Sequence, residues 1–405
     1  MSSKPVWVWL PMESEPVRCG SLRLVDGVGT FDYSEDYRQR AGAVSLDPMH
    51  LRLGRSRQSH KETRQGGLFG VFRDASPEGF GLALLERLKK TELSDPLLRL
   101  ELSEGDAVGA VEVCEDIASK VRYTPPDAME LFDVLRRLPA ERPSSQAARE
   151  IKGVHGTSLG GERPKLTVKY KGQHWIAKLQ DRGDARHAPL REYVAMRIAR
   201  QLGLAVADVE FHRIEDREVL LVRRFDREVD GAGNVLRSLY ASAHTVLRLD
   251  MQTRGEKVRS YVALAQEIKR WCADKETDPR PLQRELWARM AYNAVCGNGD
   301  DHPRNHGFIF RDKHWTLSPA FDIAPYITFS ETLSMAVNRR GVSTARTTHL
   351  LEDCSSFGWD RQEASEWLKH AREVFLSSWS VEVQAQGFGE DELPVRDPAA
   401  WLDKI

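Results

Sequence analysis

The N-terminal part of the chain, up to about residue 118, alternates short apolar runs with polar turns, which is typical of strands. The strand-like runs cover residues 6–10, 21–24, 29–33 and 107–113. A helix is predicted over residues 76–89, because apolar side chains recur at helical spacing after Pro77. Ser76 is its predicted N-cap. The pattern indicates a small mixed α/β domain spanning residues 1–118.

Between residues 119 and 155 the chain becomes polar and rich in proline, at positions 125, 126, 139 and 143. One helix is predicted inside this stretch, over residues 127–138. Such a composition is typical of a connection between domains. We therefore predict that residues 119–155 form a segment that connects two domains.

The pattern changes twice after residue 160. Strand-like runs at 166–170, 175–179, 209–213 and 219–225 surround one predicted helix at 190–202. That order predicts an antiparallel sheet with a packed helix, a sheet lobe of residues 156–227. Beyond residue 240 the periodicity is helical, at 261–272, 281–296 and 361–375. The fold class is therefore α+β, with a helical lobe over residues 228–405.

Composition narrows the functional classes. The 405 residues are 41% hydrophobic and 29% charged, which is ordinary for a folded protein, and the net charge of −1 predicts no general attraction to nucleic acid or acidic membranes. No apolar run is long enough to span a membrane. The 5 cysteines are scattered without a CxxC pair, which favours reduced thiols in a cytoplasmic protein.

The segment 297–310, GNGDDHPRNHGFIF, offers the chemistry that phosphoryl transfer needs. Asp300 could accept the proton of an attacking hydroxyl, and Asn305, five residues later, could hold a metal ion. Protein kinases use this Asp-x4-Asn spacing in their catalytic loop. Asp and Asn are also common in plain loops, so the spacing alone leaves a structural loop open.

Two further segments fit the same chemistry. Asp322 lies between Phe321 and Ile323, where a kinase carries a second acid that binds Mg²⁺; a turn acid in solvent is the alternative. Lys178 lies on a predicted strand and Glu192 near the start of the next helix, as in the kinase lysine–glutamate pair. A solvated edge lysine and an acid at a helix N-terminus remain the alternative.

Glycines precede this strand, in GVHGTSLGGERPK (153–165), and could let backbone N–H groups approach phosphate oxygens. The segment is neither a Walker A loop nor a GxGxxG motif, and alone it could be a flexible turn. Downstream, LLVRRFDR (220–227) could join the two lobes. Adenine could then lie against Phe225, although a hinge without ligand contact fits the sequence equally well.

Several of these segments, in this order, carry a resemblance that covers nearly the whole chain. They are GLFGVFRDASPEGFG (67–81), GDAVGAVEV (105–113), SLGGERPK (158–165), WIAKL (175–179), VRRFDR (222–227), GDDHPRNHGF (299–308) and FDIAPY (321–326). They resemble the HipA serine/threonine kinase toxins of bacterial toxin–antitoxin pairs. The resemblance implies a two-lobed protein-kinase-like fold with a HipA-type N-terminal domain.

The same resemblance implies roles for individual residues. Asp300 would be the catalytic base, Lys178 the lysine on the ATP phosphates, and Asn305 and Asp322 the magnesium ligands. His302 and Phe321 would line the nucleotide site, with Arg223 and Phe225 at the adenine hinge. Ser158 falls where the family carries an autophosphorylated serine whose modification inactivates the kinase. The phosphate loop would comprise Gly160, Gly161, Glu162, Arg163, Pro164 and Lys165.

The resemblance also implies a function: an ATP- and Mg²⁺-dependent toxin that phosphorylates a translation component such as an aminoacyl-tRNA synthetase. Its expected partner is a HipB-type helix-turn-helix antitoxin, so that DNA is contacted only through that partner and no membrane is involved. Two other classes stay open. The chain could phosphorylate a small molecule, or it could be a pseudokinase that acts as a binding module or corepressor.

Overall fold

The N-terminal domain is built on a sheet of 5 antiparallel strands in the order β4-β3-β2-β1-β5. The computed structural model describes residues 3–139, 141–151, 163–180, 183–250, 256–272, 278–325 and 331–403. The strands are β1 (Ser3–Val8), β2 (Val17–Val25), β3 (Val28–Tyr33), β4 (Ser59–Glu62) and β5 (Val111–Val113). The helices are α1 (Glu35–Gln39), α2 (Gly70–Asp74), α3 (Gly79–Lys89), α4 (Pro96–Leu102) and α5 (Ile117–Val121). Alternate strand residues such as Val6 and Val8 are fully buried.

The helix predicted from Ser76 begins later, at Gly79, and the prediction that Ser76 caps it is wrong. The backbone N–H of Ser76 instead donates to the Arg73 carbonyl, which closes the end of α2. Glu78 takes the N-cap position of α3, in an extended conformation and without a side-chain cap. The predicted helix is therefore present over residues 79–89 and lacks its first three predicted residues.

The strand predicted over 107–113 also begins late, at Val111. The Ala110 carbonyl accepts from the Trp9 N–H just beyond β1, but two earlier carbonyl groups accept from side chains. Ala107 accepts from Arg224 and Arg227, and Gly109 accepts from Arg227. The backbone of this loop is thus bonded to side chains of another domain, which the local sequence pattern does not reveal.

The polar connecting segment contains α6 (Ala128–Arg137) and α7 (Ala147–Glu150). Asp127 caps α6 by accepting from the Met129 N–H at 2.8 Å. The apolar face of α6 forms one core cluster with buried residues of the four-stranded sheet described next, including Leu166 and Val168. The segment packs against this sheet and does not extend away from it.

The sheet lobe has 4 antiparallel strands in the order β6-β7-β9-β8 and one long helix. Its elements are β6 (Lys165–Tyr170), β7 (Gln173–Leu179), α8 (Ala188–Gln201), β8 (Val209–Ile214) and β9 (Arg217–Arg223). Lys171 and Gly172, both with positive φ, form the tight turn between β6 and β7. The resulting register places Lys165 directly opposite Lys178.

A short ribbon, β10 (Arg227–Val229) and β11 (Val235–Arg237), leads into the helical lobe and fixes the N-terminal domain. Arg224, Arg227 and Arg237 donate to backbone carbonyls between residues 105 and 109. Asp226 accepts from Arg224 at 2.7 Å and from Arg227 at 2.9 Å. We call these three arginines the arginine junction.

The helical lobe surrounds a small sheet of 3 strands, β12 (Tyr240–Ser242), β13 (Gly307–Arg311) and β14 (His314–Leu317). Its helices are α9 (Ala243–Val246), α10 (Tyr261–Trp271), α11 (Arg280–Cys296), α12 (Thr347–Glu352), α13 (Arg361–Gln384) and α14 (Ala399–Leu402). Buried side chains of this lobe and of the N-terminal domain form one continuous hydrophobic cluster. Within the described ranges, no helix is both long and apolar enough to cross a membrane.

Candidate active site

Lys178 of β7 connects the two lobes through its ammonium group. Its Nζ lies 2.5 Å from a carboxylate oxygen of Glu192 on α8 and 2.6 Å from one of Asp322 in the helical lobe. Burial lowers the pKa of Lys178, but the carboxylates of Asp322 and Glu192 outweigh it, and the pKa lies well above its usual value. The lysine is therefore charged at neutral pH.

The two acids on this lysine have opposite pKa shifts. Burial raises the pKa of Asp322, yet the ammonium groups of Lys178 and Lys165 together hold it well below its usual range. For Glu192, which is 3% exposed, burial is the larger influence and the pKa is raised. Asp322 is thus the carboxylate that stays ionised, as a metal ligand must.

Asp322 also has an unusual backbone conformation. Its φ of +60° lies in the left-handed region, which a residue other than glycine enters rarely. The preceding Phe321 ring packs against the Phe225 ring with 5.4 Å between their centroids. The turn aims the Asp322 carboxylate at Lys178 while Phe321 packs on Phe225 in the segment that joins the lobes.

The predicted catalytic loop follows α11, which ends at Gly297 with φ +74°. Asp300 is exposed, and its backbone carbonyl accepts from Asn305 Nδ2 at 3.1 Å. That bond uses the amide nitrogen of Asn305 and leaves its Oδ1 for another partner. Asn305 is buried at the wall of the same cavity as Asp322.

The second acid of the pair, Asp301, has a different environment. It is 2% exposed, and its carboxylate accepts from the Tyr261 hydroxyl and lies 2.9 Å from His306 Nε2. Asp301 therefore anchors the loop, while Asp300 is the carboxylate that faces open space.

A buried polar chain continues beneath the loop. Tyr261 also bonds to Asn293, and Asn293 Oδ1 accepts from Asn298 Nδ2 at 3.0 Å. Asn293 and Asn298 are both almost fully buried. Asn298 Oδ1 is buried without a hydrogen-bond partner among the described residues, and the other bonds of the chain hold the loop backbone in place. We call Tyr261, Asn293, Asn298, Asp301 and His306 the loop network.

Two connected cavities lie between the lobes. The first has a volume of about 240 Å³, and its lining includes the apolar residues Ile176, Val222 and Phe225. We call it the nucleotide cavity, after the role predicted for these residues. The second has a volume of about 450 Å³, and its lining includes Asp300 and Glu192. We call it the phosphate cavity, after the role predicted for its lining residues. Residues that line both cavities are Lys165, Lys178, His302, Asn305 and Asp322.

The structure brings most predicted site residues together. Arg223, Phe225 and Phe321 line the nucleotide cavity, and Arg163 lines the phosphate cavity, where it pairs with Asp184 at 3.3 Å. Pro164 lines neither cavity; it is buried and its carbonyl accepts from the Leu179 N–H. Ser158, Gly160, Gly161 and Glu162 lie outside the described residues.

Sequence reasoning missed one whole side of the nucleotide cavity. Its lining also includes Arg73, Asp74, Ser76, Glu78, Val108, Tyr240, Ser242 and Arg304. The first five belong to the N-terminal domain. The family-like segments 67–81 and 105–113 were the available signal, but nothing in their local pattern indicated that they reach the kinase lobes.

The oxygen donors fit a magnesium ion. Mg²⁺ prefers oxygen ligands and is usually held by one or two protein groups plus water and phosphate. The ionised Asp322 and the free Oδ1 of Asn305 would supply that set. Among the residues with described positions, no group of three or more His, Cys, Asp or Glu side chains is arranged to hold a metal ion.

Two family models match most of the chain. Residues 157–379 match the HipA-like C-terminal domain, and residues 11–114 match the HipA N-terminal domain. The chain belongs to the HipA family. The resemblance inferred from the sequence segments is thus confirmed.

One curated relative is the serine/threonine-protein kinase toxin HipA of Shewanella oneidensis. It is 23% identical over 272 residues, which cover 59% of this chain and 62% of that protein. A solved complex of HipA, HipB and operator DNA from the same organism matches with a TM-score of 0.67 at 19% identity, over 95% of this chain and 92% of that one. The predicted two-lobed α+β fold with an N-terminal domain is therefore confirmed.

Proposed function

We propose that this HipA-family protein is an ATP- and Mg²⁺-dependent serine/threonine protein kinase that acts as the toxin of a toxin–antitoxin pair. The observation that supports it best is the convergence of Lys178, Asp300, Asn305 and Asp322 on two connected cavities between the lobes. The presence of an ionised Asp322 together with an exposed Asp300 argues against a pseudokinase.

In the proposed reaction the hydroxyl oxygen of a substrate serine bonds to the γ-phosphorus of ATP, the bond from that phosphorus to the β-phosphate oxygen breaks, and ADP leaves. Asp300 accepts the hydroxyl proton. Lys178 and Lys165 lie opposite each other on β7 and β6. They bind the phosphate oxygens and keep the triphosphate of ATP extended. Positioning and charge complementarity supply most of the rate enhancement in such a site.

Asn305 and Asp322 would hold Mg²⁺, which when bound neutralises negative charge on the phosphates. His302, which lines both cavities, has a buried Nδ1 without a hydrogen-bond partner within the described part of the chain. We assign that nitrogen to the bound nucleotide. The adenine ring would lie between Phe225, Val222 and Ile176, with Arg223 at the mouth of the cleft.

The partners follow from the family and remain part of the proposal. The solved Shewanella relative is a complex with HipB and operator DNA. We infer a HipB-type helix-turn-helix antitoxin for this chain, with DNA contacted through it. The proposed substrate is a translation component such as an aminoacyl-tRNA synthetase, and Ser158 is the proposed site of inactivating autophosphorylation. A phosphate there would add a charge of about −1.5 to −2 to the glycine-rich segment.

The test is phosphoryl transfer from γ-labelled ATP in an extract, compared between the parent chain and two variants, Asp300→Asn and Asp322→Asn. Labelled protein serine is expected with the parent and loss of label with both variants. Asp216→Asn, on an exposed turn, is the matched control and should retain activity. Label that appears only on small molecules would replace the protein-kinase assignment with a small-molecule kinase, and equal labelling by Asp300→Asn would overturn the assigned base.

A further inference from the structure

The N-terminal domain reaches the nucleotide cavity at two separate points. The first is the end of α2 and the turn after it, which bring Arg73, Asp74, Ser76 and Glu78 to the lining. The second is the loop before β5, where Val108 lines the same cavity. Val108 is only half-buried, which leaves part of its side chain open to that space.

The first contact is held by the helical lobe close to the phosphate end. The Asp74 carboxylate accepts from the Ser242 N–H and hydroxyl, each at 2.7 Å, and Arg73 lies 2.9 Å from His244 Nδ1. Glu78 forms an ion pair with Arg304, the neighbour of Asn305. This end of the segment therefore lies beside the residues assigned to magnesium and phosphate.

Close backbone packing adds to these bonds. A Cβ placed on Gly70 would lie 2.3 Å from the Thr245 side chain, so α2 lies as near to α9 as a glycine permits. The segment cannot shift outward without breaking several contacts at once.

The second contact is held near the adenine end. The Gly109 N–H donates to Asp226 Oδ2 at 2.8 Å, and Asp226 is the neighbour of Phe225. The arginine junction bonds the carbonyls on both sides of Val108. An apolar side chain is thus fixed beside the apolar residues that would hold the base.

We propose that the N-terminal domain forms a third wall of the nucleotide site, with Val108 against the purine base and residues 73–76 beside the ribose. The sugar joins base to phosphates, so it lies between the two anchored ends. This inference rests on the proposed function, because it assumes that the cavity binds ATP. It adds that the ligand is enclosed by three parts of the chain, and that the N-terminal domain is required for nucleotide affinity.

The first test is protection of an introduced thiol. The chain's own cysteines are all buried, so Val108→Cys adds one half-exposed thiol with little change in volume. Mg·ATP is expected to slow its reaction with a maleimide severalfold. Val28→Cys, exposed on β3 and away from the cavity, is the matched control and should react at the same rate with and without Mg·ATP.

The second test fills the proposed base site. Val108→Trp should raise the Kd of Mg·ATP, measured by calorimetry on the full chain, by about tenfold, which corresponds to about 1.4 kcal/mol, because the larger ring occupies the space assigned to the base. Val28→Trp should leave that Kd unchanged.

The outcomes separate the two proposals. Suppose that the parent binds Mg·ATP, that Mg·ATP does not protect the thiol of Val108→Cys, and that Val108→Trp binds Mg·ATP normally. The proposal of a third wall is then wrong, and the kinase assignment stands. If the parent chain shows no binding of Mg·ATP, the proposed function fails and the wall fails with it.

Discussion

Glu192 and Asp322 bind the same ammonium group, that of Lys178, although one acid lies on the helix of the sheet lobe and the other lies beyond β14 in the helical lobe. A single cation therefore spans the cleft. Its positive charge allows the two carboxylates to lie close together. Its two ion pairs hold the lobes in a fixed relative position. The Lys178 ammonium group and its two carboxylate partners are thus part of the site, and they also constrain its shape.

Lys178→Met should remove most phosphoryl transfer. Removal of one preorganised donor that stabilises developing charge costs about 10²–10³ in kcat, and here the two acids would also repel each other. Initial rates with labelled ATP provide the measurement. Lys169→Met, exposed on the adjacent strand β6, should keep the parent rate. A rate for Lys178→Met close to that of the parent would contradict the assigned role.

Tyr261→Phe should weaken the loop network. The substitution removes a hydrogen bond to the buried Asp301, worth about 1.5–3 kcal/mol for a charged acceptor, and frees the loop that carries Asp300. We expect a lower free energy of unfolding and a lower kcat with little change in the KM for ATP. Urea unfolding and steady-state kinetics would measure both.

The control for that variant is Tyr292→Phe. Tyr292 is equally buried, but its hydroxyl donates to the Ala195 carbonyl, away from the loop. It should lose about 1 kcal/mol of stability with kcat unchanged. Equal kinetic effects in the two variants would count against a positioning role for the network.

Acid should destabilise the protein partly through His174. Burial, together with Arg224 and Arg227, lowers the pKa of His174 to about 3. The native state stays neutral while the unfolded chain takes up a proton below about pH 6.5, so the unfolding free energy falls as the pH falls. Between pH 7 and pH 5 this one residue accounts for about 2 kcal/mol.

His174→Phe should therefore shrink the difference in unfolding free energy between pH 7 and pH 5 by about 2 kcal/mol. The exposed His370→Phe should leave that difference as it is in the parent. Urea titrations at the two pH values would show it. An unchanged pH difference in His174→Phe would mean that His174 ionises normally in the native state.

Arg224→Met should destabilise the contact between the N-terminal domain and the sheet lobe. It leaves the buried Asp226 with one guanidinium partner fewer, and breaking a buried pair costs about 3–5 kcal/mol. Thermal unfolding would measure the loss, with Arg23→Met, exposed on β2, as the control. A melting temperature equal to that of the parent would show that the arginine junction adds nothing to stability.

The sequence was informative wherever local chemistry and local pattern agree. Lys178 on its strand, Glu192 on its helix and the Asp300–Asn305 spacing are short-range features, and periodicity placed their elements within a few residues. Recognition of ordered segments then joined them, and the family comparison supports that step.

Features set by tertiary contact could not be predicted in the same way. The sequence pattern predicts Ser76 as a helix cap, yet its N–H closes the preceding helix, and the residue lines a cavity that the N-terminal domain shares with the kinase lobes. The loop before β5 reads as a strand, yet distant arginines take its carbonyls. Nor does spacing distinguish Asp300 from Asp301; only burial and the partners Tyr261 and His306 do.

The arginine junction contacts main-chain oxygens, not side chains, of the 105–109 loop. Three positions of this loop are nevertheless constrained. A Cβ on Gly105 would lie 2.1 Å from the Lys120 carbonyl oxygen, and Gly109 has a φ of +84°. Asp106 is buried, and its carboxylate accepts from the Thr167 hydroxyl of the sheet lobe at 3.4 Å. The Val108 side chain takes no part in the bonds that the arginines make to the carbonyls on either side of it. Substitutions at Val108 should therefore change the cavity lining while the N-terminal domain stays docked.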